Sequence, residues 1–93
     1  MVVASLELDI ALPESQSLKD KRQVVRSLKE RIQSRFNVSI AEVDDHDLWQ
    51  RAGLGVAVVA ADGARATEVL EKVVRFVERD MRLIVLAAPV EFR

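Results

Sequence analysis

The groups in this chain that could act chemically fall into two clusters, and the larger is cationic. Segment 18–36 carries Lys19, Lys21, Arg22, Arg26, Lys29, Arg31 and Arg35 against Asp20 and Glu30, a net +5, whereas the whole chain is −1 and the remainder therefore −6. At helical spacing Lys19, Arg22, Arg26 and Lys29 fall along one flank, with Arg31 and Arg35 on the other side of the same element. Such a row can hold successive phosphates of a nucleic-acid backbone, with arginine able to do so bidentately. Contacts of that kind weaken with salt and carry little sequence information. Lys21 and Arg35 are expected to support the row from outside it. The competing account is a solvated helix face whose charges pair with the acidic remainder or with nothing.

The second cluster is Asp44-Asp45-His46-Asp47-Leu48-Trp49, which holds the only histidine and the only tryptophan. Consecutive loop residues rarely converge on one ion, and neither a calcium-loop pattern nor a zinc-type histidine spacing is present, so no metal is expected. No nucleophile stands beside His46, and no acid–base pair can be singled out. The reading for this loop is structural: Asp47 caps a turn, Leu48 or Trp49 folds over the edge of the core, and Arg51 pairs with an aspartate. An exposed Trp49, with Arg51, would instead suit a partner contact. The chain has no cysteine, which removes disulfides, thiolate metal sites and thiol catalysis. Gly53-Leu54-Gly55 opens a strand instead of joining a strand to a helix, so it is no dinucleotide fingerprint. No cofactor is expected, and an enzyme is not.

The elements that must position these groups follow from periodicity. Residues 2–12 alternate, with Val2, Ala4, Leu6, Leu8, Ile10 and Leu12 on one face, a strand buried on one side. Pro13 ends it. Ser17 is suited to cap a helix, with Asp20 three residues on in the manner of a capping box. Leu18, Val25, Leu28, Ile32 and Phe36 give that helix an apolar stripe, ending near Asn37. Residues 38–43 and 53–61 read as strands, 44–52 as a polar connection, 62–80 as a second amphipathic helix opened by Asp62-Gly63, and 83–92 as a fourth strand. The order β-α-β-β-α-β over residues 1–93 predicts a single α+β domain. It is a ferredoxin-like sandwich, a four-stranded antiparallel sheet in order 4-1-3-2 with both helices on one face. The fourth strand is then an edge, where Pro89 and its missing N–H are tolerated.

On the open face of that sheet the outward positions are Ser5, Glu7 and Asp9 on the first strand and Gly55, Ala57 and Val59 on the third. None is aromatic and two are acidic, so base stacking on the sheet is not expected and any RNA contact belongs to the helix. Gly55 and Ala57 are small enough to admit another surface. The fourth strand alternates Leu83, Val85 and Ala87 with Ile84, Leu86 and Ala88, apolar on both faces, and such strands are usually covered on both sides. Oligomerisation through this face or edge is one account; a modest surface patch is the other.

Three stretches, Ser17-Leu18-Lys19-Asp20-Lys21-Arg22, Arg35-Phe36-Asn37-Val38-Ser39-Ile40-Ala41-Glu42-Val43 and Asp47-Leu48-Trp49-Gln50-Arg51-Ala52, resemble the YlxP-like family of small bacterial proteins, a domain of unknown function. The resemblance spans essentially the whole chain and implies the ferredoxin-like fold. Members are often encoded beside translation and ribosome-maturation factors, which implies a place near the ribosome by association. Asp20 stands where the family pattern suggests Glu. The expectation is a non-enzymatic binding or assembly module that meets ribosomal RNA or a ribosomal particle through the basic helix. The alternative is a homo-oligomer that binds a small effector or protein partner through its open sheet face and edge. The opening residues lack a basic head and an unbroken apolar run, and no segment is long enough to span a membrane, so the expected location is cytoplasmic.

Overall fold

The computed structural model describes residues 1–93. Strand β1 (Val2–Ala11) is followed by helix α1 (Leu18–Arg35), strands β2 (Ser39–Asp44) and β3 (Arg51–Ala60), helix α2 (Gly63–Glu78) and strands β4 (Ile84–Ala87) and β5 (Val90–Phe92). The sheet runs β2-β3-β1-β4, with β5 also pairing with β1, and every pairing is antiparallel. This is the ferredoxin-like sandwich with five strands in place of four. The inward residues of β1 (Ala4, Leu6, Leu8, Ile10) and β3 (Ala52, Leu54, Val56, Val58) pack against Val25, Leu28 and Ile32 of α1 and Leu70, Val73 and Val77 of α2 in one core.

Both helices start as local chemistry dictates. Ser17 Oγ accepts from the Asp20 N–H at 3.0 Å, and the Asp20 carboxylate accepts in return from the Gln16 N–H at 3.0 Å. The capping box is therefore closed one residue earlier than a Glu at this place would close it. Asp62 caps α2 through the Arg65 N–H at 2.8 Å.

The expected fourth strand is one edge strand broken twice. The residue pairing slips between Asp9 and Ile10, so that one extra residue, Leu86, is accommodated in a bulge. Pro89, opposite Glu7, has no N–H to give, although its carbonyl accepts from the Glu7 N–H at 3.1 Å. The bulge also corrects the expected alternation: Val85 and Ala88, three apart, pack on the core, while Ile84, Leu86 and Ala87 are exposed.

A second bulge lies in β2, between Glu42 and Asp44. It needs two glycines opposite. A Cβ on Gly53 would lie 2.8 Å from Asp44 Cβ, and one on Gly55 3.1 Å from Val43 Cγ1. An added methyl group at Gly55 would therefore press on this chain's own Val43. Gly53→Ala is expected to lower stability by about 1–3 kcal/mol, the usual cost of forcing an extra methyl group against fixed atoms. Gly55→Ala should cost less, because the Val43 side chain can turn aside. Urea unfolding of the two variants checks the order, and equal stabilities would mean that the bulge adapts freely.

Candidate nucleic-acid interface

Helix α1 buries Val25, Leu28 and Ile32, and Lys21 lies one turn before Val25 on the same stripe. The structure corrects the expectation that Lys21 supports an outer phosphate row: the residue is only 1% exposed. Its ammonium has two hydrogen-bond acceptors and one ionic neighbour. Nζ donates to the carbonyls of Asp45 at 2.8 Å and His46 at 3.1 Å. It also lies 3.1 Å from Glu42 Oε2, an ionic contact without hydrogen-bond alignment. Asp45 has φ 60°, in the left-handed region, which aims its carbonyl at the ammonium. Lys21 therefore fastens the β2–β3 connection to the start of α1.

With Lys21 withdrawn, the flank formed by Lys19, Arg22, Arg26 and Lys29 faces away from α2. Arg31 and Arg35, on the opposite flank, lie over the Phe76 ring of α2, with guanidinium carbons 5.2 and 4.9 Å from its centroid. Lys19, Arg22 and Arg26 are exposed and Lys29 half-buried. None of the four forms an ion pair; the chain's seven ion pairs all lie elsewhere. The acidic remainder of the molecule therefore does not neutralise this flank. From Lys19 to Lys29 the row covers about 15 Å of helix axis. One strand of a duplex presents about four phosphates over that length. Arg35 belongs instead to the seam between the helices.

The loop residues follow the expectations only in part. Asp47 does not cap the turn, which is closed by the Leu48 N–H donating to the Asp45 carbonyl at 3.1 Å. Leu48 and Trp49 do not fold over the core, being 49% and 54% exposed. Arg51 does pair with an aspartate, Asp9 across the sheet, through Nη2 at 2.8 and 2.9 Å from its two oxygens. That pair, on the outer face, raises the Arg51 pKa further, because the Asp9 hydrogen bond and charge favour the charged guanidinium. Gly55 and Ala57 lie beside Ser5 on the same face, in a shallow depression. Val43, Val59, Ile84 and Leu86 are exposed on that side of the sheet. No group of three or more carboxylate or histidine side chains is placed to hold a metal ion, and no helix is long and apolar enough to cross a membrane.

Asp80, just beyond α2, joins the two helices at the other end of the seam. Its side chain, 6% exposed, lies 2.6 Å from Arg82 Nη2 and 3.6 Å from Arg31 Nη1. The Arg82 hydrogen bond outweighs burial and holds the carboxyl below its ordinary 3.8. A depressed carboxyl stabilises the fold at pH values above its unfolded pKa, and that stabilisation is lost as pH falls through the folded value. Asp80→Asn is expected to lower stability by on the order of 1 kcal/mol at neutral pH. The deficit should shrink as pH falls through the ordinary carboxyl range and vanish only below the depressed folded pKa, where the wild-type group protonates. Urea midpoints across that range check it; a deficit that persists unchanged at low pH would mean that Asp80 acts through packing alone.

A two-layer α+β sandwich of the ferredoxin type with a cationic helix flank defines the class. A family model described as "Protein of unknown function (DUF503)" matches residues 3–89. The chain is 32% identical over 77 residues to the uncharacterized protein YlxP of Bacillus subtilis strain 168, a match covering 83% of this chain and 84% of that one. The chain belongs to the DUF503 family.

Proposed function

We propose that the protein is a non-enzymatic module that binds the phosphate backbone of RNA, with ribosomal RNA or a ribosomal particle as the target, through Lys19, Arg22, Arg26 and Lys29. The observation that carries this reading is that all four cations line one rigid helix flank and none is paired within the chain. Glu30, four residues after Arg26 on the same helix, forms no ion pair with any of them. The ribosomal target comes from the family resemblance, not from the geometry. Co-sedimentation with ribosomal particles at low and high salt tests it, with a variant in which all four residues are Glu run alongside. Binding that ignores salt, or survives in the variant, rejects the flank as the contact.

A second reading rests on a different observation. Val43, Val59, Ile84 and Leu86 leave apolar surface on the outer side of the sheet. A homo-oligomer closing over that face, with the depression at Gly55 and Ala57 at the interface, would cover it. Light scattering across a concentration series separates the two readings: a strict monomer at high concentration removes the second and leaves the first untouched.

A further inference from the structure

We propose that the seam between α1 and α2 is a second, separate anion site that takes a phosphoryl group. It does not depend on the flank reading, because it uses a different face of α1 and residues of α2. Arg35 at the end of α1 with Phe36 just after it, and Lys72, Arg75 and Phe76 of α2 with Arg79 just after it, line one groove of about 230 Å³. Four cations thus surround an aromatic floor. Phe36 and Phe76 meet edge to face there, with centroids 5.9 Å apart.

The floor holds one of these cations. The Arg35 guanidinium carbon lies 4.9 Å from the Phe76 centroid, and Arg31, outside the groove, approaches the same ring at 5.2 Å. An arginine held in this way loses less side-chain freedom when it takes up an oxyanion, and its planar fork matches two phosphate oxygens. Neutralisation within the chain is incomplete. Lys72 pairs with Glu68 at 2.9 Å, and Arg31 reaches only Asp80, which Arg82 already holds at 2.6 Å. Arg35, Arg75 and Arg79 form no ion pair, although Glu71 and Glu78 are exposed on the same helix. Three guanidinium groups without an ion pair leave the groove with an excess of positive charge that Glu68, paired with Lys72 and felt by Arg75, only partly offsets, and such an excess attracts a compact multivalent anion.

Size sets the class of ligand. Sites for whole cofactors and drug-sized molecules run from about 300 to 1,000 Å³. This groove is smaller and open on one side. It suits one phosphate or pyrophosphate group whose carrier remains outside. The group could belong to a small phosphorylated molecule or to the end of an RNA strand.

The test is titration of the ¹⁵N-labelled full chain with sodium pyrophosphate, followed by the arginine side-chain N–H signals. Separate titrations use a short RNA with a 5′-phosphate and the same RNA with a 5′-hydroxyl. The expected result is saturable movement of the Arg35, Arg75 and Arg79 signals. Affinity should fall at least ten-fold in the exposed-residue variant R35Q/R79Q and be kept in the variant with Lys19, Arg22, Arg26 and Lys29 changed to Gln. Seam binding of pyrophosphate identifies a site open to small anions. Seam binding confined to the 5′-phosphorylated RNA identifies a strand end. Non-saturating shifts spread over all the cations, or equal affinity in R35Q/R79Q, overturn the site. Loss of binding in the flank variant alone would assign the anion to the flank, and overturn the seam while sparing the flank reading.

Discussion

Lys21→Ala is expected to lose about 3–5 kcal/mol of folding stability, the cost of breaking a buried ion pair by removing one partner. For a domain of this size each kcal/mol moves the melting temperature by about 4–8 °C, so the fall should be at least about 12 °C. The reason is structural. The ammonium, 1% exposed, satisfies the Asp45 and His46 carbonyls and faces Glu42, whose side chain is 19% exposed. Without it the carboxylate and both carbonyls lose their partner, and the left-handed turn at Asp45 loses its anchor. Lys21→Met restores most of the packing but none of the acceptors' partners, so it should recover only part of the loss. Glu42→Gln should cost less than either, because the ammonium keeps its two carbonyl bonds. A double-mutant cycle over Lys21 and Glu42 should return a coupling of about 0.5–3 kcal/mol. If Lys21→Ala instead unfolds within about 0.5 kcal/mol of wild type, the lysine is not a fastening. Trp49, at the end of the same connection and exposed, supplies a fluorescence signal for the loop.

That lysine also shows how far the sequence can be read. Its position was visible: Lys21, Val25, Leu28 and Ile32 form one stripe at helical spacing, with a cation where a leucine would ordinarily stand. Glu42 was visible too, two residues from Ile40 and so on the inward face of β2. Each taken alone looks like a polar residue on the wrong side of its element. Only the register between α1 and β2 makes them a pair, and register is a tertiary fact. The long alternation of β1 and the Ser17 cap needed no such information, because each is settled within a few residues of chain. The fourth strand shows the opposite case. A run apolar on both faces carries no period, so nothing in it marks Leu86 as the residue a bulge takes up.

The cationic surfaces divide along the same line. The row Lys19, Arg22, Arg26 and Lys29 is a property of one helix and could be read from spacing. The seam joins two elements forty residues apart in the chain, with Arg35 brought beside Lys72 and Arg79 only because α1 and α2 pack across Phe76. Arg35 was expected to serve the first surface and lies in the second. Whether the flank is paired was likewise undecidable from composition, since a remainder of −6 could have neutralised it. The fold places that acidity elsewhere: Glu42 faces Lys21, Asp9 faces Arg51, Asp80 faces Arg82, and Glu68 faces Lys72.

An unpaired row of four cations has a quantitative consequence for RNA. Each single-strand phosphate neutralised contributes about −0.7 to the slope of log affinity against log salt, so four contacts give a slope near −3 and a roughly 50-fold loss of affinity between 50 and 200 mM salt. Removing one contact, as in Arg26→Gln, should flatten the slope by about 0.7 and weaken binding to all sequences alike. Changing all four to Glu should abolish binding at 50 mM salt, because it adds like-charge repulsion to the lost contacts. Folding should be little affected, since three of the four are exposed and none has an ionic partner to lose. Fluorescence anisotropy of a labelled single-stranded RNA over a salt series reads the slope directly. A slope near zero would mean that whatever binds is held by apolar or hydrogen-bonding contacts, and would transfer the interest to the outer sheet face. A slope near −3 that persists in the quadruple variant would mean that the charge is supplied from the seam, where Arg35, Arg75 and Arg79 remain.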